Sequence, residues 1–217
     1  GFMHRFASIS VWARKAMASA QFGKTMTIYA REGSWAMPIE GLVGDSGIHH
    51  IDLMRFLADE EVEWVQSTKC TDDDKRHAIM TIMQFKNGIL GQLSLNTLES
   101  FSEPSDLIEI HGNNGQWLRL DNWARGVWFR SPGQQRHPWA APDNPAESSL
   151  FYEHTWSTAG TNKSIVIQGY VGEIGHFVEC LENGSKPTPN LCDGYRALQL
   201  VEAINESAES GQRVIIE

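Results

Sequence analysis

The sequence predicts an α+β domain in which a large, mostly antiparallel sheet carries helices on one face. Five short runs of alternating or β-branched residues follow one another between residues 62 and 120. Amphipathic helical segments lie on both sides of this block, near the amino end and in the last third of the chain. Helices kept apart from a block of strands in this way are typical of the α+β class.

The first third of the chain is predicted to hold two helices and one strand. Apolar residues recur every three or four positions over residues 9–22, which predicts an amphipathic helix. Residues 25–30 alternate with period two and predict a strand. A second helix is expected over residues 45–57, with Asp45 or Ser46 as its N-cap.

The middle of the chain predicts successive antiparallel strands. The segments Lys86-Asn87-Gly88 and Gly112-Asn113-Asn114-Gly115 have the composition of hairpin turns. Residues 123–128 are a candidate for a further strand, and the polar stretch 131–149, with four of the eight prolines, is expected to form a long loop. The predicted strands cover residues 62–70, 77–85, 89–98, 107–111 and 116–120.

The last third returns to helices. Apolar residues follow helical spacing over residues 172–181 and 193–209, and a glycine follows each segment closely. Residues 213–216 can end the chain as a strand.

The predicted strands carry too many apolar residues for one sheet face. Alternating strands would divide these residues between the two faces, and monomers rarely expose large apolar patches. We therefore expect a subunit interface on the open sheet face. The residues concerned are Met80, Ile82, Phe85, Leu90, Leu93, Leu95, Ile108, Ile110, Trp117 and Leu118.

Charge and composition narrow the class of partner. The chain has 18 Lys+Arg against 27 Asp+Glu and a net charge of −9, which argues against nucleic acid and against an anionic membrane surface. No segment has the length and composition of a membrane span or a signal peptide. Three widely spaced cysteines predict neither a disulfide framework nor a thiolate zinc site, so a cytoplasmic protein is expected.

The segment that carries chemistry runs from Gly44 to Leu53. Asp45 and His49 are four residues apart, so a helix would place them on one face, and Asp52 falls on the same stripe. A carboxylate can orient an imidazole, and the imidazole can exchange a proton with a hydroxyl near neutral pH. Two alternatives are an ordinary helix cap and a metal site that uses His49 or His50; the two histidines point about 100° apart, so only one of them could join Asp45 and Asp52.

Several ordered segments together resemble the Gfo/Idh/MocA family of oxidoreductases, over nearly the whole chain. The first six residues are similar to the strand that ends the family's nucleotide-binding domain, and the Asp-x-Gly-x-His segment is similar to its site motif. The segments are Gly1-Phe2-Met3-His4-Arg5-Phe6, Phe22-Gly23-Lys24, Asp45-x-Gly47-x-His49-x-x-Asp52-Leu53 and Ala203-x-x-Glu206-Ser207-Ala208-x-Ser210-Gly211.

The resemblance implies hydride transfer between NAD(P) and a hydroxyl carbon of a sugar, cyclitol or related polyol. By position His49 would be the acid/base and Asp45 would bind or orient substrate. The implied fold is the open-sheet C-terminal domain related to those of dihydrodipicolinate reductase and glyceraldehyde-phosphate dehydrogenase. The family also suggests substrate contacts from loop residues and a cofactor contact from Arg5. The loop residues are Trp35, His154, Trp156 and Tyr170.

The sequence departs from the family in lacking a dinucleotide fingerprint. No Gly-x-Gly-x-x-Gly occurs, and the stretch from Gly169 to Gly175 has the wrong spacing and reads as a turn into a helix. The chain is therefore expected to be the substrate and oligomerisation domain, residues 7–217, preceded by a remnant strand, residues 1–6, that frays or pairs elsewhere without its Rossmann-domain neighbours. NAD or NADP is expected in the intact protein, with no cofactor bound to this chain and no metal.

Two other functions remain open from the sequence. One is a non-catalytic binding or regulatory protein with the same fold. The other is a glycoside hydrolase that uses bound NAD in a transient redox cycle. The sequence does not identify the substrate or its stereochemistry, and the choice between NAD and NADP depends on residues that this chain does not contain.

Overall fold

The computed structural model describes residues 1–99, 105–130, 147–152 and 164–217, and within them the predicted α+β class is confirmed. Nine strands form one sheet. They are β1 (Thr25–Gly33), β2 (Val62–Thr71), β3 (His77–Phe85), β4 (Leu90–Asn96), β5 (Asp106–Gly112), β6 (Trp117–Asp121), β7 (Arg125–Arg130), β8 (Glu147–Tyr152) and β9 (Val214–Ile215).

The helices lie before, between and after the strands. A short 3₁₀ turn (Met3–Phe6) precedes the first helix, and a π-helical turn (Leu42–Gly47) joins the second helix to the third. The α-helices are α1 (Ser8–Met17), α2 (Ile39–Gly41), α3 (Ile48–Ala58), α4 (Ser164–Ile167), α5 (Tyr170–Asn183) and α6 (Leu191–Ser210).

The strand order is β8-β7-β6-β5-β1-β4-β3-β2-β9. Among the described strands only β1 and β4 pair in parallel; every other neighbouring pair is antiparallel. The parallel pair arises because the chain leaves β1 through α2 and α3 and returns three strands away at β2, and then fills the gap with β3 and β4. This insertion puts β1 directly beside β5, which follows it by more than seventy residues in the chain.

Alternation along β3 divides the sheet into a covered face and an open face. Ile79, Thr81 and Met83 are buried, whereas Met80 and Ile82 are 55% and 54% exposed. Helices α3 and α6 pack over the buried side, on β1 and β2 respectively. The prediction that both faces carry apolar residues is confirmed, since Leu90 in the neighbouring strand is also exposed.

Gly47 sets the close approach of the π turn to the sheet. A Cβ on Gly47 would collide with the Leu95 side chain and lie 3.0 Å from the Leu42 carbonyl oxygen. The absence of a side chain therefore lets the helical run that carries the site motif rest directly on β4.

Three sequence expectations are wrong in detail. Asp45 is no N-cap, because the helical run begins at Ile39, after Pro38, and Asp45 lies inside it. The expected loop 131–149 includes the first residues of β8, while residues 131–146 lie outside the described part of the chain. Residues 3–6 form a 3₁₀ turn rather than a strand, and Met3, His4 and Arg5 are buried rather than frayed.

In the part of the chain that the structure describes, no helix has both the length and the apolar character needed to cross a membrane. The three cysteines are free thiols.

Candidate active site

A cavity of about 370 Å³ lies where the end of β1, the start of β5 and the π turn meet. The 3₁₀ turn closes one side, and the segment that joins α4 to α5 closes another. Four residues expected at the site line this cavity: Asp45, His49, Trp35 and Tyr170. The other lining residues are Met3, His4, Glu32, Met37, Pro38, Gly41, Ser46, His50, Asp106, Trp123 and Gln168.

The π turn and the first turn of α3 bring Asp45 and His49 to the same cavity. No hydrogen bond joins their side chains in the described structure, and His49 Nδ1 is buried without a hydrogen-bond partner. The imidazole of His49 is therefore not oriented by Asp45, and both groups face the space that a ligand would occupy. Single π turns inside helices are frequent at functional sites, because the extra residue changes which side chains face the cavity.

His49 is half-buried, and its surroundings favour the neutral imidazole. Burial lowers the pKa of His49, and the positive charge of neighbouring His50 lowers it further, against a smaller opposing effect of Glu32. A neutral imidazole at pH 7 can accept a proton from a bound hydroxyl.

His50 faces the interior and sits between two carboxylates. Its Nδ1 lies 3.0 Å from Glu32 Oε2 and its Nε2 lies 3.2 Å from Asp106 Oδ1. Burial disfavours the His50 cation, but the two carboxylates outweigh burial and raise the pKa of His50 to about 10. Burial would raise the pKa of Asp106, but contact with His50 lowers it. Glu32 and Asp106 are directly paired across β1 and β5, so an imidazolium between them removes a repulsion that like charges would otherwise have.

The cluster of Glu32, His50 and Asp106 has ligand atoms within 4.8 Å of one another, as a metal site would. Its geometry fits an ion pair better, because each ring nitrogen of His50 faces a different carboxylate and one ion can bind only one of those nitrogens. The other candidate set of metal ligands, Asp45 and Asp52 with one of the two histidines, is not brought together either. Asp52 points away from the cavity, toward Arg5.

Two aromatic rings of the cavity, His4 and Trp123, were not predicted as site residues from the sequence. The His4 ring stacks on Trp123, with ring centroids 3.7 Å apart and planes inclined by 27°. Burial, then the charges of His50 and His49, lowers the pKa of His4 to about 3, so His4 is neutral. Trp123 reaches the cavity from the turn between β6 and β7, where it has a left-handed backbone with φ of 63°.

Arg5 does not line the cavity. Its Nε and Nη2 donate to Asp52 at 2.7 and 2.5 Å, and Nη2 also donates to Asp193 at 2.9 Å. Burial disfavours the Arg5 cation, but the hydrogen bonds and charge of Asp52 outweigh it and raise the pKa of Arg5. Arg55 lies 3.3 Å from the same Asp52 carboxylate. This network ties the 3₁₀ turn to α3 and α6, and so fixes His4 beside His49.

The glycine-rich segment does not offer a dinucleotide cradle. Gly169 has φ of 97°, and a Cβ there would collide with the Met3 carbonyl oxygen; a Cβ on Gly172 would lie 3.0 Å from Phe6 Cβ. The space that these glycines leave is filled by the chain's own residues 3–6. The prediction of a turn into a helix is confirmed, since α5 begins at Tyr170. His154 and Trp156 lie outside the described residues.

The described structure is an open, mixed sheet with helices on one face. A cavity at the strand ends holds a histidine and carboxylates. Together these features define an α+β domain with groups that can transfer protons. The chain belongs to the Gfo/Idh/MocA family: the model of the oxidoreductase family's C-terminal alpha/beta domain matches residues 24–216.

Curated relatives are sugar and cyclitol dehydrogenases. Inositol 2-dehydrogenase of Rhizobium meliloti (strain 1021) is 24% identical over 231 residues, which cover 100% of this chain and 64% of the relative. D-apiose dehydrogenase of Paraburkholderia graminis is 28% identical over 181 residues, which cover 80% of this chain and 44% of the relative. The chain thus spans less than two thirds of the length of each of these relatives.

Solved structures share the fold. An oxidoreductase domain protein from Kribbella flavida superposes with a TM-score of 0.79 at 19% identity and covers 100% of this chain and 65% of that chain. Myo-inositol dehydrogenase from Lactobacillus casei, in complex with NAD(H) and myo-inositol, superposes with a TM-score of 0.71 at 20% identity, over 100% of this chain and 61% of that chain.

Proposed function

We propose that this chain is the substrate domain of an NAD(P)-dependent dehydrogenase that acts on a sugar, cyclitol or related polyol. The observation that carries the proposal is a histidine with lowered pKa, His49, that faces a cavity of polyol size together with Asp45. The dehydrogenases among the curated relatives support the reaction class.

In the proposed reaction the substrate hydroxyl would give its proton to neutral His49, and an oxidised nicotinamide, when bound, would supply the acceptor for the hydride of the same carbon. This conversion of a carbinol to a carbonyl balances, with one proton on His49 and two electrons on the cofactor. The family domain that matches this chain is a C-terminal one, and we propose that another domain of the intact protein holds the nicotinamide. Asp45 would accept a hydrogen bond from a second hydroxyl and orient the ring.

The charges of the cavity favour an uncharged polyol. Among the described residues that line the cavity none is a lysine or an arginine, whereas Glu32, Asp45 and Asp106 are carboxylates. A phosphate ester or a uronate would therefore meet net negative charge, because the one lining cation that the described structure shows, His50, is already paired with Glu32 and Asp106. Trp35 and Tyr170 provide flat apolar walls against which a sugar face can pack. His154 and Trp156 stay predicted substrate contacts.

The open sheet face supports self-association. Met80, Ile82 and Leu90 expose apolar side chains on it, and monomers rarely leave such a face uncovered. We place a second copy of the chain there, in a homodimer or homotetramer.

The acid/base role is tested by substitution in the full-length protein. His49→Gln should lower kcat by about 10² to 10⁴, because the proton acceptor is lost. His111→Gln is the matched control, since His111 is an exposed histidine at the far end of β5. Equal turnover of wild type and His49→Gln would remove His49 from this role, and a wild type that reduces no nicotinamide with any polyol would favour a non-catalytic binding protein.

A further inference from the structure

The cavity has an open mouth and a closed inner end. Trp35 and Tyr170 line it but remain exposed to solvent, so they lie at the mouth. His4, His50 and Trp123 also line it but are buried, so they form the inner end. The volume of about 370 Å³ lies at the small end of the range for ligand sites. The buried side chains at the inner end therefore limit the size of a ligand.

Trp123 has the largest side chain at this inner end. Its ring stacks on His4, with centroids 3.7 Å apart, and its centroid lies 5.6 Å from that of the His50 ring. The centroids of the His4 and His49 rings are in turn 5.3 Å apart. A polyol whose hydroxyl is held at His49 would therefore have part of its ring close to the indole of Trp123.

The backbone at Trp123 has a conformation that a bulky residue rarely adopts. Asn122 and Trp123 both have left-handed backbones, with φ of 46° and 63°. Glycine takes this conformation without strain, so the turn itself does not require a tryptophan. Strained positions of this kind occur often where a side chain is held against a ligand. The indole ring, rather than the turn, accounts for the tryptophan.

Hydrogen bonds fix this turn to the strand that borders the cavity. The backbone N–H of Asp106, in β5, donates to Asn122 Oδ1 at 3.0 Å, and the backbone N–H of Asn122 donates to the Asp106 carbonyl oxygen at 3.0 Å. The Asp106 carboxylate also lies 3.2 Å from His50 Nε2. These contacts hold the turn, and with it the indole of Trp123, in one position relative to the cavity.

We propose that Trp123 is a specificity-determining residue that restricts the cavity to a polyol of one ring. The inference rests on the proposed function for the class of substrate. The indole packs against the carbons of the ring on the side that faces the inner end, and it occupies the space that a bulky substituent on that side would need. A cyclitol or monosaccharide fits this space, whereas a ring that carries a large ether group toward the inner end does not.

A neutral polyol and the set of its mono-O-benzyl ethers test this role in the full-length protein. Trp123→Gly removes the indole at a backbone position that suits glycine, and it leaves a space in which a benzyl ring fits. Relative to the parent polyol, kcat/KM for at least one ether should rise by about tenfold or more. Trp123→Phe keeps a smaller ring and should raise that ratio less.

The matched control is Trp64→Ala. Trp64 lies in β2, outside the cavity, where Arg213 stacks on its ring at 3.9 Å. This variant also loses an indole and should keep the wild-type ratio of ether to polyol. Circular dichroism checks that each variant is folded. If Trp123→Gly does not fold, Trp123→Phe decides, and its ratio must rise by about threefold or more.

Two outcomes would overturn the proposal. One is a folded Trp123 variant with the wild-type ratio, which would make Trp123 a packing residue only. The other is an equal change of the ratio in Trp64→Ala. Isothermal titration of the same ligands separates this proposal from the proposed function. A protein that oxidises no polyol but gains affinity for an ether in Trp123→Gly would contradict only the proposed function, whereas a wild type that binds no neutral polyol would contradict both.

Discussion

His49 and His50 are neighbours in the chain, but His49 is neutral and His50 is a cation. Burial and the charge of His50 lower the pKa of His49, whereas Glu32 and Asp106 raise the pKa of His50 to about 10. Successive helical residues point about 100° apart, which is why one imidazole faces the cavity and the other faces the carboxylates. The pair therefore combines a neutral base with a fixed positive charge next to it.

Substitution of either charged neighbour of His49 should therefore shift the acid limb of the pH profile of kcat/KM, and the two substitutions should shift it in opposite directions. A base works above its pKa, so activity is lost as pH falls through the pKa of His49, which lies below the ordinary 6.5. His50→Gln removes a neighbouring positive charge and should move the acid limb of kcat/KM to higher pH. Glu32→Gln removes a negative charge and should move it to lower pH. The measurement is kcat/KM against pH in the full-length protein.

Trp35→Phe is the control, because it changes a cavity wall without changing a charge. If both charge variants move the limb the same way, or leave it where it is, the limb does not belong to His49.

The sequence could identify only some of the residues that line the site. Asp45 and His49 could be found because their spacing of four residues is a local helical signal. Glu32 and Asp106 could not, because they become neighbours only through the pairing of β1 with β5, which joins segments far apart in the chain. His4 and Trp123 were missed for the same reason, since tertiary contacts alone bring them to the cavity.

At the scale of elements, the 3₁₀ turn forms one side of the cavity, and its position depends on the buried carboxylate of Asp52. Asp52 is 1% exposed and contacts both Arg5 and Arg55. Asp52→Asn removes one charge partner from each of two buried guanidinium groups, while Arg5 keeps Asp193 and Arg55 keeps Glu61. The substitution should lower the free energy of unfolding by about 1.5 to 3 kcal/mol. Urea denaturation of the 217-residue chain measures this.

Asp72→Asn is the matched control, because Asp72 is 75% exposed and pairs with Arg76 at 3.8 Å. It should leave stability nearly unchanged. Similar losses for the two variants would mean that the Arg5–Asp52 network does not hold the turn.

Two of the helical glycines, Gly47 and Gly194, should give opposite changes in stability when each is replaced by alanine. Gly47→Ala forces a methyl group into Leu95 and should destabilise by about 1 to 3 kcal/mol. At Gly194, within α6, a Cβ would meet nothing within 4 Å, so Gly194→Ala should stabilise by about 0.5 to 1 kcal/mol. Thermal unfolding of both variants gives the comparison, and a stable Gly47→Ala protein would show that the π turn can move away from β4.

Elements with strong local signals were predicted well. The predicted strand 77–85 coincides with β3, whose alternation is complete, and α6 matches its prediction closely because a capping box, Asn190 with Asp193, and Gly211 mark its ends. The start of the site helix was missed because no side-chain cap marks Ile39. The 3₁₀ turn at residues 3–6 was missed because it depends on burial against α5 and α3 rather than on local preference.

At the scale of the whole molecule, the described structure has apolar side chains exposed on two different elements, the open sheet face and helix α5. The sequence predicted the first surface, because ten apolar strand residues exceed what one face can hold. It did not predict the second, because the apolar spacing of a helix does not say which of its sides faces the core. The open sheet face is the surface on which we propose that a second copy binds.

The central claim is that the intact protein is a dehydrogenase that oxidises an uncharged polyol bound beside His49. The most direct measurement is nicotinamide reduction by the full-length protein with a panel of neutral cyclitols and sugars and with their phosphate esters and uronates. We expect saturable reduction with at least one neutral compound, little or none with its anionic counterpart, and loss of the activity in His49→Gln. Reduction that prefers the anionic compounds, or that survives in His49→Gln, would contradict the account.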